Sequence, residues 1–230
     1  MTVTLQSAPN HTAENDIYAE QTAMTSIVSY PQRCNFWGDG RFRGNCDGQL
    51  FKNLVLRYRA TRVADPMMGS GTTRDVIAGL NATGRHNIHY WGADLSTSFD
   101  LRTDPLPGPF DFAWLHPPYW NLIRYNDNDP RDLSGCATYE EFCNTLHQCL
   151  RNCYQTISPG GRLAILLGDI RRCGTYITLL PTVLAMEGEL GQLRSVIIKA
   201  QHNCSSNAKS YGRMEDVPIQ HEYCVVFKKA

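Results

Sequence analysis

The segment Asp65-Pro-Met-Met-Gly-Ser-Gly-Thr-Thr73 constrains this chain more than any other. A short strand is expected over residues 62–65, and helical spacing of Val76, Ile77 and Leu80 follows the glycines. Strand, glycine turn and helix in that order open a βαβ unit. The strand carries Asp65 to the carboxyl edge of a sheet. Gly69 and Gly71 let the backbone turn tightly and approach a ligand. Thr72 or Thr73 is placed to cap the helix, whose positive N-terminus then faces the site. The turn lacks the lysine of a P-loop, and Arg74 stands where a dinucleotide motif needs its third glycine.

The rest of the chain alternates in the same way. Asp47 is placed to cap a helix carrying Leu50, Phe51, Leu54, Val55 and Tyr58. A strand over residues 89–93 ends at Asp94, where a doubly wound nucleotide fold puts a carboxylate for ribose hydroxyls. Read alone, Asp94 is also a helix cap ahead of Ser96. Asp100 and Asp104 follow, either of them available to an adenine amino group. A strand over residues 112–115 ends at His116. Thr138-Tyr-Glu-Glu141 reads as a capping box opening a helix with Phe142, Leu146, Leu150, Cys153 and Ile157 on one face. Pro159-Gly-Gly161 is expected to stop it. Residues 163–167 form a continuous apolar run, the mark of a strand buried on both faces. Residues 175–187 read as a weaker helix interrupted by Pro181, and strands over 195–199 and 222–228 flank a polar stretch, 200–220. Such alternation predicts an α/β fold with a mostly parallel sheet and an antiparallel edge. Residues 1–30 are expected to be a flexible arm with a short helix near 13–26, and residues 31–230 a single domain.

Composition narrows the class. Hydrophobic residues make up 42% and charged residues 19%, which suits one globular core. Lys+Arg and Asp+Glu both number 22, so non-specific affinity for nucleic acid is expected to be weak. Nine cysteines, an odd number without a Cys-x-x-Cys, fit neither a disulfide framework nor a zinc site, so no metal is expected. No apolar run reaches membrane-spanning length and no signal peptide is recognisable. The expectation is a cytoplasmic protein with no membrane partner.

The second chemical motif is His116-Pro-Pro-Tyr-Trp120. Consecutive prolines stiffen the turn and remove backbone donors while leaving carbonyls free to accept. An exocyclic base amine is a poor nucleophile, because its lone pair is delocalised into the ring. Accepting its protons, at residue 116 and at the Pro117 carbonyl, would localise that lone pair. Tyr119 offers an aromatic face for a flipped base, and stacking of about 1–3 kcal/mol offsets part of the cost of extrusion.

Taken together, the segments at 65–73 and 116–120 resemble those of the amino-methylating DNA methyltransferases, the N6-adenine and N4-cytosine class. The resemblance runs over roughly residues 34–228. It implies a doubly wound, mostly parallel seven-stranded sheet with an antiparallel edge hairpin, Rossmann-like, and S-adenosyl-L-methionine as cofactor. It implies that Asp65, Pro66, Met67, Gly69, Ser70, Gly71, Thr72 and Thr73 surround the methionine part, that Asp94 holds the ribose and that Asp100 lies near the adenine. Phe36 and Asn45, within segments 35–39 and 44–48, complete that pocket by the same likeness. His116, Pro117, Pro118 and Tyr119 are the implied catalytic residues, although the family normally has Asp, Asn or Ser where His116 stands. Neutral imidazole can accept one hydrogen bond, and a protonated ring cannot. Adenine N6 is the favoured target, with cytosine N4, RNA bases and a non-catalytic binding module as alternatives. Double-stranded DNA with a flipped base is the expected partner, and a second copy of the chain a candidate one. Trp120, Arg124, Lys199, His202, Asn203, Lys209 and Arg213 are the candidate DNA contacts.

Overall fold

The computed structural model describes residues 17–19, 24–202 and 215–230. Seven strands form one sheet: β1 (Ile27–Ser29), β2 (Arg62–Asp65), β3 (His89–Gly92), β4 (Phe110–Leu115), β5 (Ile157–Leu167), β8 (Gln192–Ala200) and β9 (His221–Lys228). Their order is β1-β8-β9-β5-β4-β2-β3. β9 runs antiparallel to both of its neighbours, and every other pairing is parallel. β6 (Ile170–Arg172) and β7 (Thr175–Ile177) make a separate two-stranded sheet.

Side-chain alternation explains why the sheet is covered on both faces. In β4, Ala113 and Leu115 face one core while Phe112 and Trp114 face the other. In β5, Leu163, Ile165 and Leu167 join the first core, and Ala164 and Leu166 the second. A strand buried on both sides must be apolar at every position, as the run over 163–167 is. Helix α3 (Tyr139–Gln155) supplies Phe142, Leu146, Leu150 and Cys153 to the first core. Helices α1 (Gln49–Tyr58) and α2 (Thr72–Ala82) supply Phe51, Leu54, Val76 and Leu80 to the second. The sheet is therefore doubly wound.

Several elements differ from expectation. Pro159-Gly-Gly161 does not lie between helix and strand but within β5, which begins directly after α3. The register with β4 jumps from Phe110↔Ile157 to Phe112↔Arg162, so these residues bulge, with Gly160 at φ 78°. Hydrogen bonds exchanged with Lys229 keep the bulge satisfied. Residues 175–187 are not one helix: Cys173 and Gly174, both at positive φ, turn β6 into β7, and Pro181 lies in the first turn of a short helix, α4 (Leu180–Leu184). That is where a missing N–H costs nothing. The sheet also begins earlier than residue 31, since β1 pairs with β8 outside the β8–β9 pair. Asp47 accepts from Gln49 N at 2.9 Å, but the cap of α1 is Gly48. Among the described residues no helix is long and apolar enough to cross a membrane.

Strand order fixes where a ligand can sit. From β2 the chain moves outward to β3 on one side, then returns to β4 on the other. A crevice opens at the carboxyl ends of the strands at such a reversal.

Candidate cofactor and base site

Both sequence motifs lie at that reversal. The 65–73 turn leaves the end of β2 and is tied to the end of β3 by Met68 N→Ala93 O (3.2 Å) and Ala93 N→Asp65 O (3.1 Å). Gly69 and Gly71 sit at φ 54° and 85°, where a Cβ would be strained. The expected threonine cap is not formed. Gly71 is the N-cap of α2, and no side chain among the described residues caps it. Thr73 instead donates to Asp65 Oδ2, and Thr72 donates to Asn45 Oδ1. The Asn45 bond fastens the upstream segment over the turn.

Asp65 is 2% exposed and accepts from Met67 N at 3.1 Å. No cation pairs with it among the described residues, and burial pushes its carboxyl up to about 7. Asp94 accepts from Gly69 N (2.9 Å) with one oxygen and from Ser96 N (2.8 Å) with the other. It therefore braces the glycine turn and caps the 3-10 turn Leu95–Thr97 while facing the crevice. Asp100 also faces the crevice, gripped by Arg102 Nη2 at 2.7 Å, which holds its carboxyl below the ordinary range.

Asp65, Pro66, Met67, Gly69, Thr72, Thr73, Asp94 and Asp100 line a cavity of about 350 Å³, within the range of small-molecule sites, whereas Gly71 shapes the turn without reaching its wall. Ser70 Oγ is buried at its wall without a hydrogen-bond partner among the described residues. An orphaned hydroxyl, an uncapped helix end and an unpaired buried acid fit an absent polar ligand. Phe36 does not belong to this wall; its side chain is 72% exposed. The upstream phenylalanine that does is Phe42, stacked on Tyr125 with centroids 5.8 Å apart.

β4 delivers His116 to the edge of a second, adjoining cavity of about 460 Å³, and His116 lines both. Pro118 faces the first; Pro117 and Tyr119 face the second. His116 Nε2 lies 2.9 Å from Tyr119 Oη, and Tyr119 donates to Glu222 Oε1 at 2.7 Å. Lys199 Nζ donates to Glu222 Oε2 at 2.9 Å and lies 3.4 Å from Asp47 Oδ2. Burial lowers the His116 pKa, which keeps the ring neutral. Burial alone would raise the Glu222 carboxyl, but the Lys199 cation beside it and the Tyr119 hydrogen bond hold it low.

The candidate DNA contacts divide. Lys199 is not a phosphate contact: it is buried in its ion pairs. Trp120 turns away from both cavities, donating to Cys136 O at 3.0 Å and packing edge-on against Tyr139. Arg124 lines neither cavity and is occupied by Asp127 and Ser134 O. His202 lines the second cavity, 2.9 Å from Ser29 Oγ. Asn203, Lys209 and Arg213 lie outside the described residues. Glu222 is the residue that motif reading misses. A glutamate inside the apolar β9 run, directly across from Lys199 in β8, is the available signal.

No family model matches the chain. A reducing polyketide synthase from a Penicillium species is 32% identical over 160 residues, which is 65% of this chain and 6% of that protein. Among solved structures, a candidate DNA modification methylase of Thermus thermophilus, complexed with S-adenosyl-L-methionine, is 18% identical, with a TM-score of 0.40. The likeness covers 74% of this chain and 55% of that one. The N-methyltransferase NodS of Bradyrhizobium japonicum, in complex with S-adenosyl-L-homocysteine, is 11% identical with a TM-score of 0.43, over 76% of this chain and 84% of that one.

Proposed function

We propose that this chain is an S-adenosyl-L-methionine-dependent DNA methyltransferase acting on the exocyclic amino group of a flipped base, adenine N6 favoured. The observation that carries the reading is the pair of adjoining cavities that meet at His116. In it, the glycine-turn cavity takes the cofactor and the second cavity takes the base.

Gly69 and Ser70 offer backbone and hydroxyl groups to the methionine part, Asp65 a carboxylate to its positive charge, and Asp94 and Asp100 acceptors to the nucleoside. When bound, the cofactor supplies an electrophilic methyl group. His116 and the Pro117 carbonyl accept hydrogen bonds from the base amine, which draws its lone pair out of the ring. Tyr119 and Tyr125 bring aromatic rings to the base cavity.

The test is incubation with labelled S-adenosylmethionine and unmethylated double-stranded DNA or, separately, RNA, followed by nucleoside mass spectrometry. N6-methyladenine in DNA is expected. Label in RNA alone, or in neither polymer, would overturn the proposal, and N4-methylcytosine would overturn its choice of base.

A further inference from the structure

The bonds around Tyr119 have only one consistent direction. Glu222 is an ionised acceptor held by Lys199, so it cannot donate. Tyr119 has one proton and gives it to Glu222 Oε1. Its oxygen must then accept from His116 Nε2, 2.9 Å away. A neutral imidazole carrying its proton on Nε2 presents a lone pair on Nδ1. His116 Nδ1 makes no hydrogen bond to any described residue, and the ring lines both cavities.

We propose that Glu222 is a positioning residue which, through Tyr119, locks His116 in the Nε2–H tautomer and leaves Nδ1 as the acceptor for the substrate amine. This rests on the functional reading above and explains how a histidine can stand where the family places Asp, Asn or Ser. Those residues carry an oxygen acceptor at all times. A neutral histidine offers an acceptor nitrogen at Nδ1 only in its Nε2–H tautomer, and the Glu222–Tyr119 pair selects that tautomer. Lys199 sets the charge of Glu222 and is shared with Asp47. Glu222 from β9, Lys199 from β8 and Asp47 ahead of α1 are the charged groups acting on the ring.

Lys199 can only donate, which makes Glu222→Gln a reversal rather than a simple loss. The introduced amide must turn its oxygen to Lys199 and its NH₂ to Tyr119. Tyr119 then donates to His116 Nε2, and the ring proton moves to Nδ1, where it blocks acceptance. Adding Lys199→Met removes that constraint, so the amide oxygen can return to Tyr119 while its NH₂ faces Asp47.

The experiment is long-range proton–nitrogen NMR of ¹⁵N-histidine protein without substrate, alongside turnover and cofactor affinity. His116 is assigned by its loss in His116→Gln. Expected are Nε2–H in the wild type, Nδ1–H in Glu222→Gln, and Nε2–H again in the double variant. Turnover in Glu222→Gln should fall about a hundredfold or more, on the scale of lost acid–base groups, with cofactor affinity unchanged, and recover in the double variant. A wild-type ring protonated on Nδ1, or a Glu222→Gln protein with unchanged tautomer and turnover, would overturn the proposal. The tautomer is read without substrate, so it stands or falls separately from methyl transfer: absence of methylated nucleoside with the expected ring states would count against the enzyme reading alone.

Discussion

Asp65 in the wall of the first cavity and Glu222 in the wall of the second are both buried carboxylates, yet their surroundings push them in opposite directions. Asp65 has hydrogen-bond donors but no cation among the described residues, and burial lifts its carboxyl to about 7. Glu222 has Lys199 and stays ionised. The difference separates two uses of a buried acid. Glu222 is complete within the protein and serves its geometry. Asp65 lacks its counter-charge, and in the proposed function the cofactor's positive charge supplies it.

The largest expected effect comes from removing the cation. Lys199→Met leaves Glu222 and Asp47 uncompensated and should lower stability by about 3–5 kcal/mol, read by denaturant unfolding. Asp65→Asn removes an unpaired charge instead, so cofactor-free stability should hold or rise. An equal loss in both variants would break the comparison.

For the cofactor the order reverses. Asp65→Asn should weaken its binding by about 1.5–3 kcal/mol, the scale of a charge-assisted hydrogen bond, roughly 10- to 150-fold by calorimetric titration. Glu222→Gln should leave that affinity unchanged.

The pH dependence sharpens the same contrast. Binding favours ionised Asp65, so its carboxyl must lose a proton when the cofactor enters. Affinity should be flat above pH 7 and fall up to about tenfold per unit below it. In the cofactor-free protein the sign is opposite: a raised carboxyl pKa disfavours the folded state above about pH 7 and favours it as pH falls toward 4. Thermal unfolding with and without cofactor reads both slopes.

The smallest effects concern the aromatic residues of the upstream segment. Phe36→Ala should change neither stability nor cofactor affinity beyond about 0.5 kcal/mol, as for an exposed side chain. Phe42→Ala, which removes a stacked ring at the cavity wall, should cost about 1 kcal/mol of binding.

What the sequence makes legible follows from local physics. The strand into Asp65, the helix after the glycines and the continuous apolar run over 163–167 each carry their own periodicity, and each is present. Pro159-Gly-Gly161 reads as a helix stop because a bulge and a stop use the same residues, and only pairing with β4 distinguishes them. Residues 175–187 read as an interrupted helix because Pro181 suits the start of a helix as well as its interruption. The Glu222 network is out of reach for a different reason. His116 and Glu222 are joined through strand order and cross-strand register, neither of which a local motif encodes. Asn45 is reached by likeness, whereas Phe36 and Phe42 cannot be told apart there, because a loop has no period to say which ring points inward.

Calorimetric titration of S-adenosylmethionine into wild-type, Asp65→Asn and Glu222→Gln proteins at pH 8 tests the division of the site most directly. Tight binding to the wild type and Glu222→Gln, with at least a tenfold loss in Asp65→Asn (the lower end of the charge-assisted range), is the predicted result. No binding to the wild type, or an equal loss in both variants, would contradict it.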